Sequence, residues 1–323
     1  MITVVGESLV DVVARSGCDD LTVHPGGSPA NVAVALSRLG QRTGLVTQIG
    51  ADPHGALIRA HLERNGVQVI LAGPTTVATS RALARLDLQG AATYQFELNW
   101  DVHDLRLVQD SAALHVGSLG VMLAPGGQQV LRFVESVSRR GDVVTSYDPN
   151  VRPSVTPDRR QAAAKVERVA ACAHVVKMSD EDLAFLFPDT TAEQLATRLL
   201  SADTHATQLL VVTRGPQGAV VATRGSYFSI PAVPVAVVDT VGAGDAFMAA
   251  LLAGLADEGL LSPQTLAERL TTDQRAQHRI VDQALAAAAL TCTRPGADPP
   301  TARELRSFRA KRMRQGQAPA DTG

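Results

Sequence analysis

The sequence predicts an α/β fold: a doubly wound, mostly parallel sheet flanked by helices, with a small β-sheet lid. Three observations carry this. Val- and Leu-rich runs recur without strict alternation: "ITVVG" from residue 2, "GLVTQIG" (44–50), "ALHVG" (113–117), "DVVTSYDPN" (142–150), "HVVKMS" (174–179) and "QLLVVTRG" (208–215). Strands covered on both faces have this character. Helical patterns lie between the runs, and such strand–helix alternation makes parallel neighbours. Two stretches break the alternation, "GCDDLTVHPGG" (17–27) and "ATSRALARLDLQGAATYQFELN" (78–99), and read as short antiparallel strands.

In chain order, "MITVVGESLVDVV" reads as a first buried strand whose end carries Glu7 and Asp11. "SPANVAVALSRLG" is a helix with Ser28 as N-cap and Pro29 in its first turn. Val32, Ala35, Leu36 and Leu39 share one face, and Gly40 is at the C-cap. "ALARLDLQGAATYQFEL" alternates about a Gly-centred turn, as a hairpin does. A lid over the strand ends and plain extra edge strands both fit this pattern. "AVPVAVV" (232–238) reads as a strand and "AFMAALLAGL" (246–255) as an apolar helix. No repeat or linker divides the chain. The expectation is one domain over 1–315, with the lid from about 17–27 and 78–100, and a disordered tail, "GQAPADTG" (316–323).

Composition narrows the function classes. The 323 residues are 45% hydrophobic and 19% charged, enough to bury a real core. A formal net charge of −2 gives no reason to expect nucleic acid or an anionic membrane as partner. Basic residues gather in "RELRSFRAKRMR" (303–314), read as a solvated terminal helix. Cys18, Cys172 and Cys292 match no disulfide framework or metal spacing, and the N-terminus lacks a basic region before its apolar run. With no stretch near the ~18 apolar residues of a membrane span, the expected location is the cytoplasm.

The stretch that raises a chemical question is "DTVGAGD" (239–245). Gly242, Ala243 and Gly244 form the turn that starts a helix, and glycines there let unpaired amides converge on a ligand. With the positive end of the helix dipole they make an anion site suited to phosphate. Asp245 follows in the first helical turn. In an isolated "GAGD" it would simply favour the dipole; beside a phosphate and an acceptor hydroxyl it is a general base. Rival phosphate motifs are missing. No GxxxxGK[ST] occurs, none of the three lysines (Lys165, Lys177, Lys311) follows a glycine, and GxGxxG, HRD, DFG and HExxH are absent.

At the other end of the chain, Asp11 with Gly26, Gly27 and Asn31 of "PGGSPANVAVAL" can hold vicinal sugar hydroxyls; Asn31 can equally be a surface residue of its helix. Taken together, these segments resemble the PfkB (ribokinase-like) sugar kinases. "GGSPANVAVALSRLG" is similar to that family's N-terminal signature and "DTVGAGDAF" to its C-terminal one, and the likeness runs through "LTCTRPGADPP" (290–300). The resemblance implies ATP-dependent transfer to a primary alcohol, with Asp245 as base, Gly242, Ala243 and Gly244 as anion hole, and Asp11, Gly27 and Asn31 as sugar ligands. "VTRGPQG" resembles the nucleotide loop, which implies Thr213, Arg214, Gly215 and Gly218 around ATP. Asp239 and carbonyls near Val241, Thr291 and Gly296 would line a monovalent cation site of the kind that takes K⁺. Mg²⁺ is required by the triphosphate, yet the family's Asn-x-x-Glu is here Ser179 and Asp182 of "KMSDED". That departure weakens the assignment of a direct metal role to either residue.

"LHVGSLGV", "YDPNVRP" and "VKMSDEDLAFLFP" are similar to the fructokinase branch, which implies fructose as substrate and fructose 6-phosphate as product. Arg152 then lies at the active-site floor or anchors "DPN". Kinases of 2-keto-3-deoxygluconate commonly place an Arg after the lid's aromatic strand; here "YQFELNW" has Glu97 and Leu98, and an acidic residue would repel a carboxylate. Ribose or a nucleoside as acceptor also fits the family pattern. From a different functional class, a non-catalytic sugar-binding regulator would share the fold. Family likeness also implies a homodimer through the β-lid.

Overall fold

The structure is a computed structural model that describes residues 1–15, 21–86, 92–156, 158–201, 205–314 and 316. Cys18, the expected turn at Gly90 and the tail beyond Gly316 lie outside the described residues. In chain order the strands are β1 (Ile2–Val5), β2 (Leu9–Arg15), β3 (Leu21–Gly26), β4 (Thr43–Thr47), β5 (Gln68–Leu71), β6 (Arg81–Leu86) and β7 (Ala92–Glu97). They continue with β8 (Ala113–Gly117), β9 (Val144–Asp148), β10 (Val175–Ser179), β11 (Leu209–Thr213), β12 (Ala219–Thr223) and β13 (Ser226–Ile230). The helices are α1 (Ser28–Arg38), α2 (Pro53–Arg64), α3 (Leu119–Met122), α4 (Gly126–Arg140), α5 (Arg159–Cys172) and α6 (Asp180–Leu186). After these come α7 (Ala192–Ser201), α8 (Ala243–Asp257), α9 (Pro263–Leu270), α10 (Gln274–Cys292) and α11 (Ala302–Arg314).

A nine-stranded sheet runs β13-β12-β11-β10-β9-β8-β1-β4-β5. From β11 to β5 every pairing is parallel; β12 and β13 add an antiparallel edge. Side-chain alternation splits the core into two layers. Ile2, Val4, Leu209 and Val211 join one apolar cluster with Leu36 of α1, Phe247 of α8 and Ala284 of α10. Their neighbours Val5, Leu210 and Val212 join a second with Val134 of α4, Val166 of α5 and Leu199 of α7. Helices therefore cover both faces, as the unalternating apolar runs require. α11 is not merely solvated: Arg309 and Arg312 reach Asp282 of α10 at 3.3 and 3.1 Å. No helix among the described residues is long and apolar enough to cross a membrane.

The expected single opening strand is two strands in different sheets. β1 stops at Val5, and β2 enters a four-stranded sheet ordered β3-β2-β6-β7. The break has a local cause. A Cβ on Gly6 would sit 2.2 Å from Pro29 Cγ, so only glycine allows this close approach to α1. Glu7 then turns inward to accept from Gly120 N at 2.7 Å. Asp11 is thus a lid residue rather than the end of a core strand. β2 pairs antiparallel with β3 but parallel with β6, which joins the two expected β segments into one sheet.

"AVPVAVV" forms no strand. Pro231 and Pro234 supply no N–H to a ladder, and Val237 and Val238 are 63% and 64% exposed. Ser28 is not the N-cap of α1; Gly27 is, at φ 101, and Ser28 starts the helix. Leu39 is the C-cap, with Gly40 one residue beyond in left-handed geometry.

Candidate active site

In an open parallel sheet, ligand-binding groups collect beyond the carboxyl ends of the strands. Here a cavity of about 770 Å³ lies there. Each wall traces to one element. Glu7 follows β1, Ser118 follows β8, Asn150 and Arg152 follow β9, Lys177 lies within β10 and Ser179 ends it, and Thr213 ends β11. Gly27, Ser28 and Asn31 come from the start of α1, and Thr240 to Gly242, Gly244 and Asp245 from the start of α8. The small sheet supplies Leu9, Asp11, Ala82 and Phe96. It therefore faces the strand ends, as a lid does.

Asp245 is held at both oxygens by side chains of α1. Ser28 Oγ donates to Oδ1 at 2.6 Å and Asn31 Nδ2 to Oδ2 at 2.8 Å. The two signature segments, 214 and 217 residues apart in sequence, meet in these hydrogen bonds. The packing of α1 against α8 brings them together. Asn31 lines the cavity rather than the outer surface, and its amide donates to Asp245. Gly242 is the N-cap of α8 at φ 75, a left-handed conformation natural to glycine.

The cavity is acidic. Glu7, Asp11, Asp180, Glu181, Asp182 and Asp245 line it, against Arg152 and Lys177. Asp182 is already committed: Oδ1 accepts from Val151 N at 2.8 Å and Oδ2 from Ser179 Oγ at 2.8 Å, a capping box at the start of α6. The departure from Asn-x-x-Glu is thus absorbed as a helix cap, leaving Asp180 and Glu181 as the accessible acids there. Arg152 combines both roles the sequence left open, lining the cavity while its Nη1 donates to Asn150 Oδ1 at 2.6 Å.

The predicted nucleotide, cation and anion-hole residues divide. Thr213, Gly215 and Val241 line the cavity. Arg214, Gly218, Ala243, Asp239, Thr291 and Gly296 do not. Arg214 Nη2 reaches Ser229 Oγ at 3.3 Å. Gly218, at φ 87, meets the backbone after β13: an added Cβ would lie 2.0 Å from Ile230 O. Asp239 accepts from Val241 N at 3.0 Å and Gly296 N at 2.8 Å, tying two of the expected cation loops together. Thr291 is fully buried, its hydroxyl donating to Ala287 O at 2.9 Å.

Glu97 does not act as expected. Cross-strand register sets it opposite Arg81, which binds its two oxygens at 2.8 and 2.9 Å, while the adjacent Phe96 lines the cavity. A side-chain period of two decides this. Glu97, neutralised by Arg81, gives no repulsion of an acidic substrate.

Sequence reading missed the polar floor. Lys177 Nζ meets Asp148 Oδ2 at 2.8 Å, with both side chains almost fully buried. These lie inside apolar-looking strands, where a charge gives no periodic signal. Asp148 holds the Lys177 ammonium charged against the burial that disfavours it. Glu7, 2% exposed, is pushed up to about 7 by burial, although Gly120 N–H favours its charged form. Because the folded value exceeds that of a free carboxyl, this group's stabilising contribution is complete below about 4.5 and is lost as pH rises toward 7. The expected difference is roughly 3 kcal/mol. In urea titrations at pH 5 and pH 8, Glu7→Gln should lose correspondingly less stability than the parent across that interval. Parallel losses would show that Glu7 ionises normally.

Comparison with known proteins gives a consistent answer. The model of the "pfkB family carbohydrate kinase" matches residues 1–303. Fructokinase from Salmonella typhimurium is 35% identical over 280 residues, covering 84% of this chain and 89% of that protein. The solved structure of fructokinase with bound ATP from Xylella fastidiosa has a TM-score of 0.80 at 25% identity, covering 97% of this chain and 99% of that one. A fructokinase double mutant from Vibrio cholerae O395, in fructose-, ADP- and potassium-bound form, has a TM-score of 0.77 at 29% identity, covering 95% and 97%.

Proposed function

The chain belongs to the pfkB family of carbohydrate kinases, sugar phosphotransferases of ribokinase-like α/β fold, and from this premise we propose that it converts D-fructose and ATP to fructose 6-phosphate and ADP. The observation that carries the reading is Asp245, oriented by Ser28 and Asn31 at the start of α8, in a cavity closed on its far side by Asp11 and Phe96 of the small sheet. In this reading the primary hydroxyl gives its proton to Asp245 while its oxygen bonds to the γ-phosphorus. The bond from that phosphorus to the bridging oxygen breaks, and ADP leaves with the electron pair. Amides of Gly242 and Gly244, which line the cavity, stabilise the transferring group, whereas the expected third donor, Ala243 N, donates to Thr240 O at 3.2 Å. Leu9, Ala82 and Phe96 give the lid an apolar inner surface, which supports exclusion of water as a competing acceptor.

Oxygen donors suit the ions such kinases use. Asp180 and Glu181 would face the nucleotide's Mg²⁺, with Asp182 satisfied by its own helix. When bound, that ion supplies positive charge against the acidic cavity. Asp239 with the carbonyls of Val241, Thr291 and Gly296 would hold K⁺; the Asp239 bridge to Val241 and Gly296 supports this.

Fructose is favoured over an acidic sugar because six carboxylates line the cavity against two cations, so a substrate carboxylate would add repulsion. A coupled ADP-release assay over neutral sugars, sugar acids and nucleosides should give D-fructose the highest kcat/KM. A tenfold preference for 2-keto-3-deoxygluconate, ribose or a nucleoside would overturn the assignment, Arg152 being the residue then expected to hold an acid.

A further inference from the structure

Lys177 has no role in the chemistry described so far. Its side chain is 5% exposed, yet it lines the cavity. A Cβ on Gly244 would stand 3.2 Å from its Nζ, so the ammonium lies against the backbone that begins α8. Its field reaches both Asp148 and Asp245. Glycine at 244 leaves this approach unobstructed.

The ion pair is poorly built as a stabilising device. Asp148 Oδ1 is buried without a hydrogen-bond partner among the described residues, as is the neighbouring Tyr147 hydroxyl. Buried pairs with incomplete hydrogen bonding are often no better than apolar residues of similar volume. A purely structural pair would also have no reason to border the cavity at the anion site. The other cation of the wall, Arg152, is tied to Asn150 and open to solvent.

We propose that Lys177 is a catalytic residue of the phosphoryl transfer, its buried ammonium contacting the transferring group beside the Gly242 and Gly244 amides, with Asp148 as its positioning residue. This rests on the kinase reading above. As the bond to the bridging oxygen breaks and the sugar oxygen bonds to phosphorus, negative charge accumulates on the equatorial oxygens. A fixed cation in a water-poor site stabilises that charge without reorganising. Lys177 donates hydrogen bonds and keeps its protons; the sugar's proton still goes to Asp245.

The test pairs Lys177→Met with the double variant Lys177→Met/Asp148→Asn, using whichever sugar the parent protein phosphorylates best. The single variant leaves a buried carboxylate unpaired and risks misfolding. The double variant removes both charges and should keep an unfolding midpoint near that of the parent. Its kcat should nevertheless be at least ~100-fold lower, with KM for sugar and ATP within about threefold. Calorimetry with ADP, sugar and aluminium fluoride, a mimic of the transferring group, should show similarly weakened binding, while ADP alone binds normally. A folded double variant with parental kcat or parental affinity for the mimic refutes the role of Lys177 and leaves the kinase reading intact. If the parent transfers phosphoryl to no acceptor in the panel, the kinase reading fails and this inference with it.

Discussion

Replacing Asp245 with Asn should lower kcat by about 10²- to 10⁴-fold, with sugar and ATP affinity and the unfolding midpoint close to those of the parent. The substitution keeps shape and removes the proton acceptor. Asn31 Nδ2 can still donate to the remaining carbonyl oxygen, and the Ser28 hydroxyl can turn to accept from the new amide, so the contacts at 2.8 and 2.6 Å survive with one direction reversed. The loss should therefore appear in turnover rather than in folding. Single-turnover kinetics with fructose and ATP, beside equilibrium ATP binding, separates the two. Parental turnover would mean that Asp245 only ties α8 to α1 through Ser28 and Asn31.

How much of the molecule is readable from its sequence depends on whether the signal is local. "GAGD" announces a helix start because glycine geometry and dipole direction are properties of a few adjacent residues. The parallel sheet is legible because strands buried on both faces are rich in Val and Leu without strict alternation, and β1, β4, β8, β9, β10 and β11 are buried at nearly every position. What escapes are facts of long-range register. Whether Phe96 or Glu97 faces the cavity follows from β7 pairing with β6. The division of "ITVVGESLVDVV" between two sheets follows from Gly6 meeting Pro29. "AVPVAVV" has strand composition but forms no strand, Pro231 and Pro234 supplying no N–H to a ladder. Lys177 and Asp148 are invisible for a different reason: one charge inside an apolar run has meaning only once its partner, 29 positions away, is known.

Gly242→Ala should impair stability and turnover together, and the structure says why glycine is required there. Position 242 sits at φ 75, where a Cβ costs about 1–2 kcal/mol. The added methyl would also lie 2.6 Å from Ala297 Cβ and 2.9 Å from its Cα, so backbone must move. Ala297 follows Gly296, whose amide is bound by Asp239, so displacement there pulls on the loop leading into α8. The amides that form the anion site would be re-aimed. Loss of one such donor lowers kcat roughly 10²- to 10³-fold, and that is the expected size. Gly40→Ala is the matched control, because φ is 89 but nothing lies within 4 Å of its Cβ. It should lose comparable conformational stability while keeping full turnover. Adding Ala297→Gly to Gly242→Ala removes the 2.6 Å contact but leaves the Cα of residue 297 at 2.9 Å, so it should restore only part of kcat and none of the φ penalty. If Gly242→Ala retains full kcat, the backbone turn at the start of α8 does not act on the phosphoryl group.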